Sequence, residues 1–210
     1  MLRFNGLGIL LLTCVLSSWG QRKMLSPEEA AALKQRVTEQ TKQLRSLEST
    51  FTQTKHLDYL ENDVTSSGKL YFKAPDKIRW EYVRPSSYTV IFNGELMRMN
   101  EGGKKAKQID LASNRRLKGL NALLTGTVQG GRIFDDTQFQ ITYYREGADY
   151  SAILVPKDQA LSRYIKQVEL TLDGRSYLVR QIKITDPTQD YTRITFDTQR
   201  QNVSLPESLF

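Results

Sequence analysis

One cysteine and one histidine in 210 residues leave little room for metal or thiol chemistry. Zinc and iron–sulfur centres need clusters of those ligands, and a disulfide needs a second cysteine. Phosphate-loop and dinucleotide fingerprints are missing too: Gly102-Gly103-Lys104-Lys105 lacks the Gly-x4-Gly-Lys frame. We therefore expect no metal and no cofactor. After the first twenty residues no stretch approaches the roughly 18 apolar residues of a membrane-spanning helix. What is present is ordinary for a folded chain, with 39% hydrophobic and 10% aromatic residues, and the length suits one domain.

The beginning of the chain has the layout of a secretory signal peptide. Arg3 supplies the positive start, Leu7 to Leu16 the apolar run, and Ser18 and Gly20 the small residues before a cut at Gln21. Residues 1–20 are then a signal peptide and 21–210 the mature domain. Cys14 falls inside this segment. Leu11-Leu12-Thr13-Cys14 also has a faint lipoprotein-signal look, which would make Cys14 an acylation site; Thr13 and the apolar Val15, Leu16 and Trp19 fit that reading poorly.

Ser26-Pro27-Glu28-Glu29 predicts a helix start, with Ser26 as cap, Pro27 in the first turn and Glu29 completing a capping box. Ala30, Leu33, Val37 and Leu44 form one apolar stripe, so the helix should run to about Leu44. The period then changes to two. Strands are predicted at 47–59, 65–73, 77–83, 87–93, 96–100, 106–110, 138–145, 149–155, 165–173, 176–186 and 190–198, with turn signals at Asn93-Gly94, Glu101-Gly102-Gly103 and Asp173-Gly174. A short helix from Ser113 to Leu124, carrying Leu117, Leu120 and Leu124 on one face, interrupts the series. The predicted fold is mainly β with α: one curved antiparallel sheet of about eleven strands, curling into an unclosed barrel.

Alternation assigns the faces. Leu70 and Phe72 share one side, as do Ile78, Trp80 and Tyr82; Val168, Leu170 and Leu172; Leu178, Ile182 and Ile184; and Ile194 and Phe196. Polar residues take the other side. In 87–93, Val90 with Phe92 and Ile91 compete for the interior. Two short helices give little cover for so broad an apolar face. An apolar cavity is one outcome; an interior filled by helices and aromatics is the other, and periodicity does not separate them.

With these residues in view, the chain resembles the outer-membrane lipoprotein carrier protein family (LolA). Phe51-Thr52-Gln53 is similar to its Phe-x-Gln, and Gly68-Lys69-Leu70-Tyr71-Phe72-Lys73-Ala74-Pro75 to its Gly-x-Leu-aromatic-x-Lys-Arg-Pro. Ile78-Arg79-Trp80-Glu81-Tyr82, Pro85, Asn93-Gly94, Thr192-x-Ile194-x-Phe196 and Pro206 to Phe210 follow in the expected order. The resemblance implies a periplasmic carrier, a chaperone whose half-barrel holds lipoprotein acyl chains under a helical lid. It implies acylated lipoproteins as cargo, an inner-membrane ABC transporter as donor and an outer-membrane acceptor. The expected lipid-binding cavity is lined by Phe51, Leu70, Phe72, Ile78, Trp80, Tyr82, Met97, Met99, Leu170, Ile182, Ile184, Ile194 and Phe196. Leu117, Leu120 and Leu124 are the expected lid, and Arg115, Arg116 and Lys118 the expected partner-docking cations. One departure stands out: the family's arginine before the proline is Ala74 here, so its gating role does not carry over. A carrier of another lipid or apolar ligand, or a non-carrier extracytoplasmic interaction domain, is the alternative.

Other chemistry finds little footing. His56 reads as a solvent-facing strand residue, and Asp58, Glu61, Asp63 and Asp135-Asp136 as solvated loop charge. The protein is expected not to be an enzyme. Lys104, Lys105, Lys107, Arg115, Arg116 and Lys118 cluster in sequence, but few aromatics interleave them, so nucleic acid is not the expected partner. They are either solvated surface or a contact for anionic headgroups or an acidic transporter. A monomer is expected.

Overall fold

The computed structural model describes residues 22–102, 105–111, 126 and 134–210. The signal segment with Cys14, the lid residues Leu117, Leu120 and Leu124, and the cations Lys104, Arg115, Arg116 and Lys118 lie outside the described residues.

Helix α1 (Pro27–Lys42) starts where its sequence directs. The Ser26 hydroxyl accepts from the Glu29 N–H at 3.2 Å, and the Ser26 N–H donates to the Glu29 carboxylate at 2.8 Å. It buries Leu33 and Val37; Leu44 lies two residues past its end and is also buried.

The strands are β1 (Arg22–Met24), β2 (Ser46–His56), β3 (Val64–Lys73), β4 (Lys77–Arg84), β5 (Tyr88–Asn93), β6 (Leu96–Glu101), β7 (Lys107–Asp110), β8 (Phe139–Glu146), β9 (Asp149–Pro156), β10 (Gln167–Leu172), β11 (Val179–Thr185) and β12 (Tyr191–Gln201). A short helix α2 (Gln159–Ser162) lies between β9 and β10. The twelve strands form one antiparallel sheet in the order β1-β8-β9-β10-β11-β12-β2-β3-β4-β5-β6-β7. Among the described residues it does not close, since β1 and β7 are its two edges. Two meanders, β2 to β7 and β8 to β12, meet at the β12–β2 seam.

Four details differ from the sequence reading. The edge strand β1 has no apolar alternation to announce it; backbone pairing to β8 and ion pairs from Arg22 to Glu146 and Glu169, both at 2.8 Å, hold it. The first long strand ends at His56, and residues 57–63 form the loop that follows. Leu178 is buried but precedes its strand: Asp173 captures the Arg175 and Ser176 N–H groups, and a register shift then sets Val179 opposite Leu172. Asn93 remains in β5, paired with Leu96, so Gly94 (φ +59°) and Glu95 make the turn.

Asp63, Asp135 and Asp136 have partners. His56 Nδ1 lies 2.8 Å from Asp63 and the ring stacks on Tyr191 at 4.9 Å. Asp136 pairs with Lys34 of α1, while Asp135 accepts from Thr137 and Gln138. The Asp135 carboxyl is held below the usual carboxylate range by those hydrogen bonds.

Both faces of the sheet carry apolar clusters. The concave face holds the main core together with Leu33 and Val37 of α1. On the convex face, Ile91 packs with Leu205 and Phe210, joined by Tyr71, Val203 and Leu209. The competition in β5 is thereby resolved: Val90 and Phe92 face the main core and Ile91 the opposite side. The strap formed by residues 203–210 is tied down by polar groups as well. Lys73 and Lys77 each reach Glu207 at 2.6 Å, Arg79 donates to the Leu209 carbonyl, and Arg98 donates to the Phe210 backbone oxygen.

The two lysine contacts hold the Glu207 carboxyl down to about 2, from 4.5 ordinarily. A depressed carboxylate stabilises the fold above its unfolded value, and that contribution disappears as pH falls through the folded one. Thermal melts of Glu207→Gln should therefore show a small loss relative to wild type at neutral pH. The gap should narrow from pH 4.5 downward and vanish near pH 2, and it should shrink in high salt because the pair is exposed. A gap that persists at pH 2 would mean that the carboxylate is not what the strap loses.

Candidate functional site

Cross-strand register arranges the concave face in rows. One row runs Met97–Phe92–Ile78–Phe72–Leu47, and the next Met99–Val90–Trp80–Leu70–Ser49. A third runs Tyr88–Tyr82–Gly68–Phe51–Phe196, crossing the seam. Deeper lies Gln53–Ile194–Ile182–Leu170–Ala152–Tyr143, followed by Thr192–Ile184–Val168–Leu154–Ile141. All thirteen side chains expected to line the interior fall on these rows. Phe51, Leu70, Phe72, Ile78, Trp80, Met97, Leu170, Ile182, Ile194 and Phe196 are buried, and Tyr82, Met99 and Ile184 are half-buried against them.

At the centre is an aromatic cluster. Phe51 meets Trp80 edge-on at 5.0 Å and Tyr82 at 5.1 Å; Trp80 tilts toward Phe196 at 5.9 Å, and Tyr82 stacks on Tyr88 at 4.3 Å. Gly68 makes the cluster possible. A Cβ there would lie 2.0 Å from the Glu81 carbonyl oxygen and 3.0 Å from the Phe51 ring, so only glycine lets β3, β4 and the Phe51 ring come this close.

The polar groups of the concave face are few and mostly satisfied. The Tyr82 hydroxyl donates to Gln53 Oε1 at 3.0 Å, and burial, reinforced by Tyr88, keeps its proton on well beyond the ordinary phenol value. Ser49 donates to the Asp197 carbonyl at 2.7 Å. Two groups are exceptions: Trp80 Nε1 and the Tyr143 hydroxyl are buried with no hydrogen-bond partner among the described residues. Tyr143 is likewise kept protonated, by burial first and the nearby Asp136 charge second. A buried donor left unpaired costs about 1–3 kcal/mol, so this is an uncommon place to leave an indole N–H. Sequence reasoning placed Trp80 on the right face but had no signal for its missing acceptor, because periodicity reports facing and not partners. Tyr143, Tyr88 and Ala152 were passed over for want of a distinctive motif.

At one end of the sheet, Asp110, Leu96, Asn93, Lys77, Lys73 and Ser46 form a terminal row. Leu111 and Ala74 both lie just beyond it. Ala74 is half-buried against the main core, and its N–H donates to the Arg45 carbonyl. Arg79, the nearby strand cation, is on the convex side with Glu81. A cleft of about 340 Å³ lies among Asp173, Ser176, Leu178, Arg180, Phe196, Asp197 and Gln201; it opens to solvent and its lining is mostly polar. No helix among the described residues is long and apolar enough to cross a membrane.

A family model described as outer membrane lipoprotein carrier protein LolA matches residues 42–210. No curated protein matches the chain. Among solved structures, MucB aligns over 86% of this chain and 62% of its own, with 16% identity and a TM-score of 0.51, a likeness of fold. A LolA superfamily protein from Nitrosomonas europaea aligns over 84% of this chain and 96% of its own, with 10% identity and a TM-score of 0.42. The lipoprotein LppX of Mycobacterium tuberculosis aligns over 86% and 99%, with 13% identity and a TM-score of 0.47.

Proposed function

This chain belongs to the outer membrane lipoprotein carrier protein family, and from that premise we propose that its concave face receives the acyl chains of lipoproteins in the periplasm. The observation that carries the reading is the make-up of the five rows. They join ten of the strands into one continuous surface of mostly aliphatic and aromatic side chains, with Met97 and Met99 as adaptable members. Transfer of each methylene from water to such a surface gains about 0.8 kcal/mol, so acyl chains crossing an aqueous space need this cover.

Most of the lining side chains are buried, so cargo would enter by displacing something. β7 is one edge of the sheet and β8 lies next to the other, so the connection formed by residues 111–138 joins the two ends of the strand order. Within it, Leu111 and Phe134 are both buried in the main core. Leu117, Leu120 and Leu124 belong to this connection and would form the lid. Arg115, Arg116 and Lys118 beside them would meet an anionic surface or transporter. In the full shuttle an inner-membrane ABC transporter loads the carrier and an outer-membrane acceptor unloads it.

Ala74 favours a second reading. An alanine at the end of the sheet that Leu111 shares leaves the lid without the family's cation there, which suits a carrier of another lipid released by a different trigger. Mass spectrometry of protein purified from its own periplasm discriminates. Acylated polypeptide crosslinked from a photoreactive residue at position 184 is the expected result. Free lipid alone would favour the second reading, and an empty interior that captures neither would remove the carrier role.

A further inference from the structure

Within the aromatic cluster every polar side chain but one has its partner. The Tyr82 hydroxyl donates to Gln53 Oε1, and Ser49 is bonded to backbone, whereas Trp80 Nε1 has no acceptor among the described residues. Trp80 is 3% exposed, so bulk solvent does not reach it either. A phenylalanine would keep an aromatic ring beside Phe51 and Phe196 without burying an unpaired donor, so the indole carries a cost in the empty protein. Buried indoles normally find an acceptor. One supplied by a ligand explains the choice.

We propose that Trp80 Nε1–H donates to the carbonyl oxygen of an ester-linked acyl chain, so that the interior selects acyl esters over chains lacking that carbonyl. The inference rests on the acyl-binding reading of the concave face. Depth supports it. Trp80 lies three residues along β4 from Lys77 of the terminal row, about 10 Å at strand rise. Beyond it stretch the rows of Phe51 and Phe196, then of Ile194, Ile182 and Leu170. A head group near the terminal row would put its carbonyl at the indole and its tail along these deeper rows. Charge supports it as well. Trp80 has Leu70 and Val90 as cross-strand neighbours and the rings of Phe51 and Phe196 against it, so a neutral carbonyl fits where a free carboxylate would be stranded.

The test compares dioctanoylglycerol with its dioctyl ether, which has the same chains without carbonyls, on the full chain and on Trp80→Phe. Wild type should bind the ester about tenfold more tightly, the worth of one hydrogen bond to a buried donor. Trp80→Phe should close the gap between ester and ether, taking more from the ester than the smaller ring costs both ligands alike. In wild type, the Trp80 indole proton resonance should move downfield with the ester and not with the ether, a readout that needs no variant. Equal wild-type affinities, or an equal loss for both ligands in Trp80→Phe, would overturn the donor role while leaving the acyl-binding reading intact. Failure of wild type to bind either ligand would overturn both.

Discussion

Phe72→Glu is expected to yield no folded protein. Phe72 is 1% exposed, flanked by Leu47 on β2 and Ile78 on β4. Removing the ring alone forfeits about 3–5 kcal/mol, and a carboxylate in that position must either be buried unpaired or take up a proton. Those costs together rival the whole stability of a domain. The readout is loss of the cooperative thermal transition and of near-ultraviolet circular dichroism. Phe72→Leu, by contrast, should fold and lose about 1–2 kcal/mol. A cooperative, native-like Phe72→Glu would show that the concave face is assigned to the wrong side of the sheet.

Gly68→Ala should be nearly as damaging despite adding one methyl group. The new Cβ meets the Glu81 carbonyl oxygen at 2.0 Å, and backbone in the next strand does not swing away as a side chain would. Relief requires β3 and β4 to part at the register shift between Ser67 and Gly68, or the Phe51 ring to leave the cluster. A loss of about 3 kcal/mol is expected by chemical denaturation, at the upper end for overpacking. Gly102→Ala is the control: a Cβ there meets nothing within 4 Å and should change little. Equal effects at the two glycines would mean that the crowding at Gly68 is relieved by some easy local shift.

Much of this architecture could be read from the residues because one face of the sheet is dry. Where strands alternate cleanly, as in Val168-Glu169-Leu170-Thr171-Leu172, period two gives both the element and its orientation, and the structure agrees with each. The reading failed where burial and alternation part company. Arg22-Lys23-Met24 joins the sheet by backbone pairing and Arg22 ion pairs, which leave no hydrophobic trace. At Leu178-Val179 both residues are buried, and the register shift that allows it depends on a turn built around Asp173. In β5 three consecutive apolar residues were ambiguous because the convex side has its own apolar patch, made by a strap from the far end of the chain. For the candidate site, residue type and facing were accessible, so the positions on the concave face could be read in advance. The unsatisfied indole was not, since it is a property of what Trp80 lacks nearby.

The seam between β12 and β2 has a consequence for how the molecule is made. Phe51 and Phe196 are direct partners there although nearly the whole domain separates them in sequence, so the middle of the sheet waits on the last strand to emerge. Contacts of such long span slow the search for the native state. Until β12 arrives, β2 and β11 each present an unpaired flank to any other extended peptide, and a nascent or truncated chain stopping before Tyr191 should be prone to self-association in a way the finished protein is not.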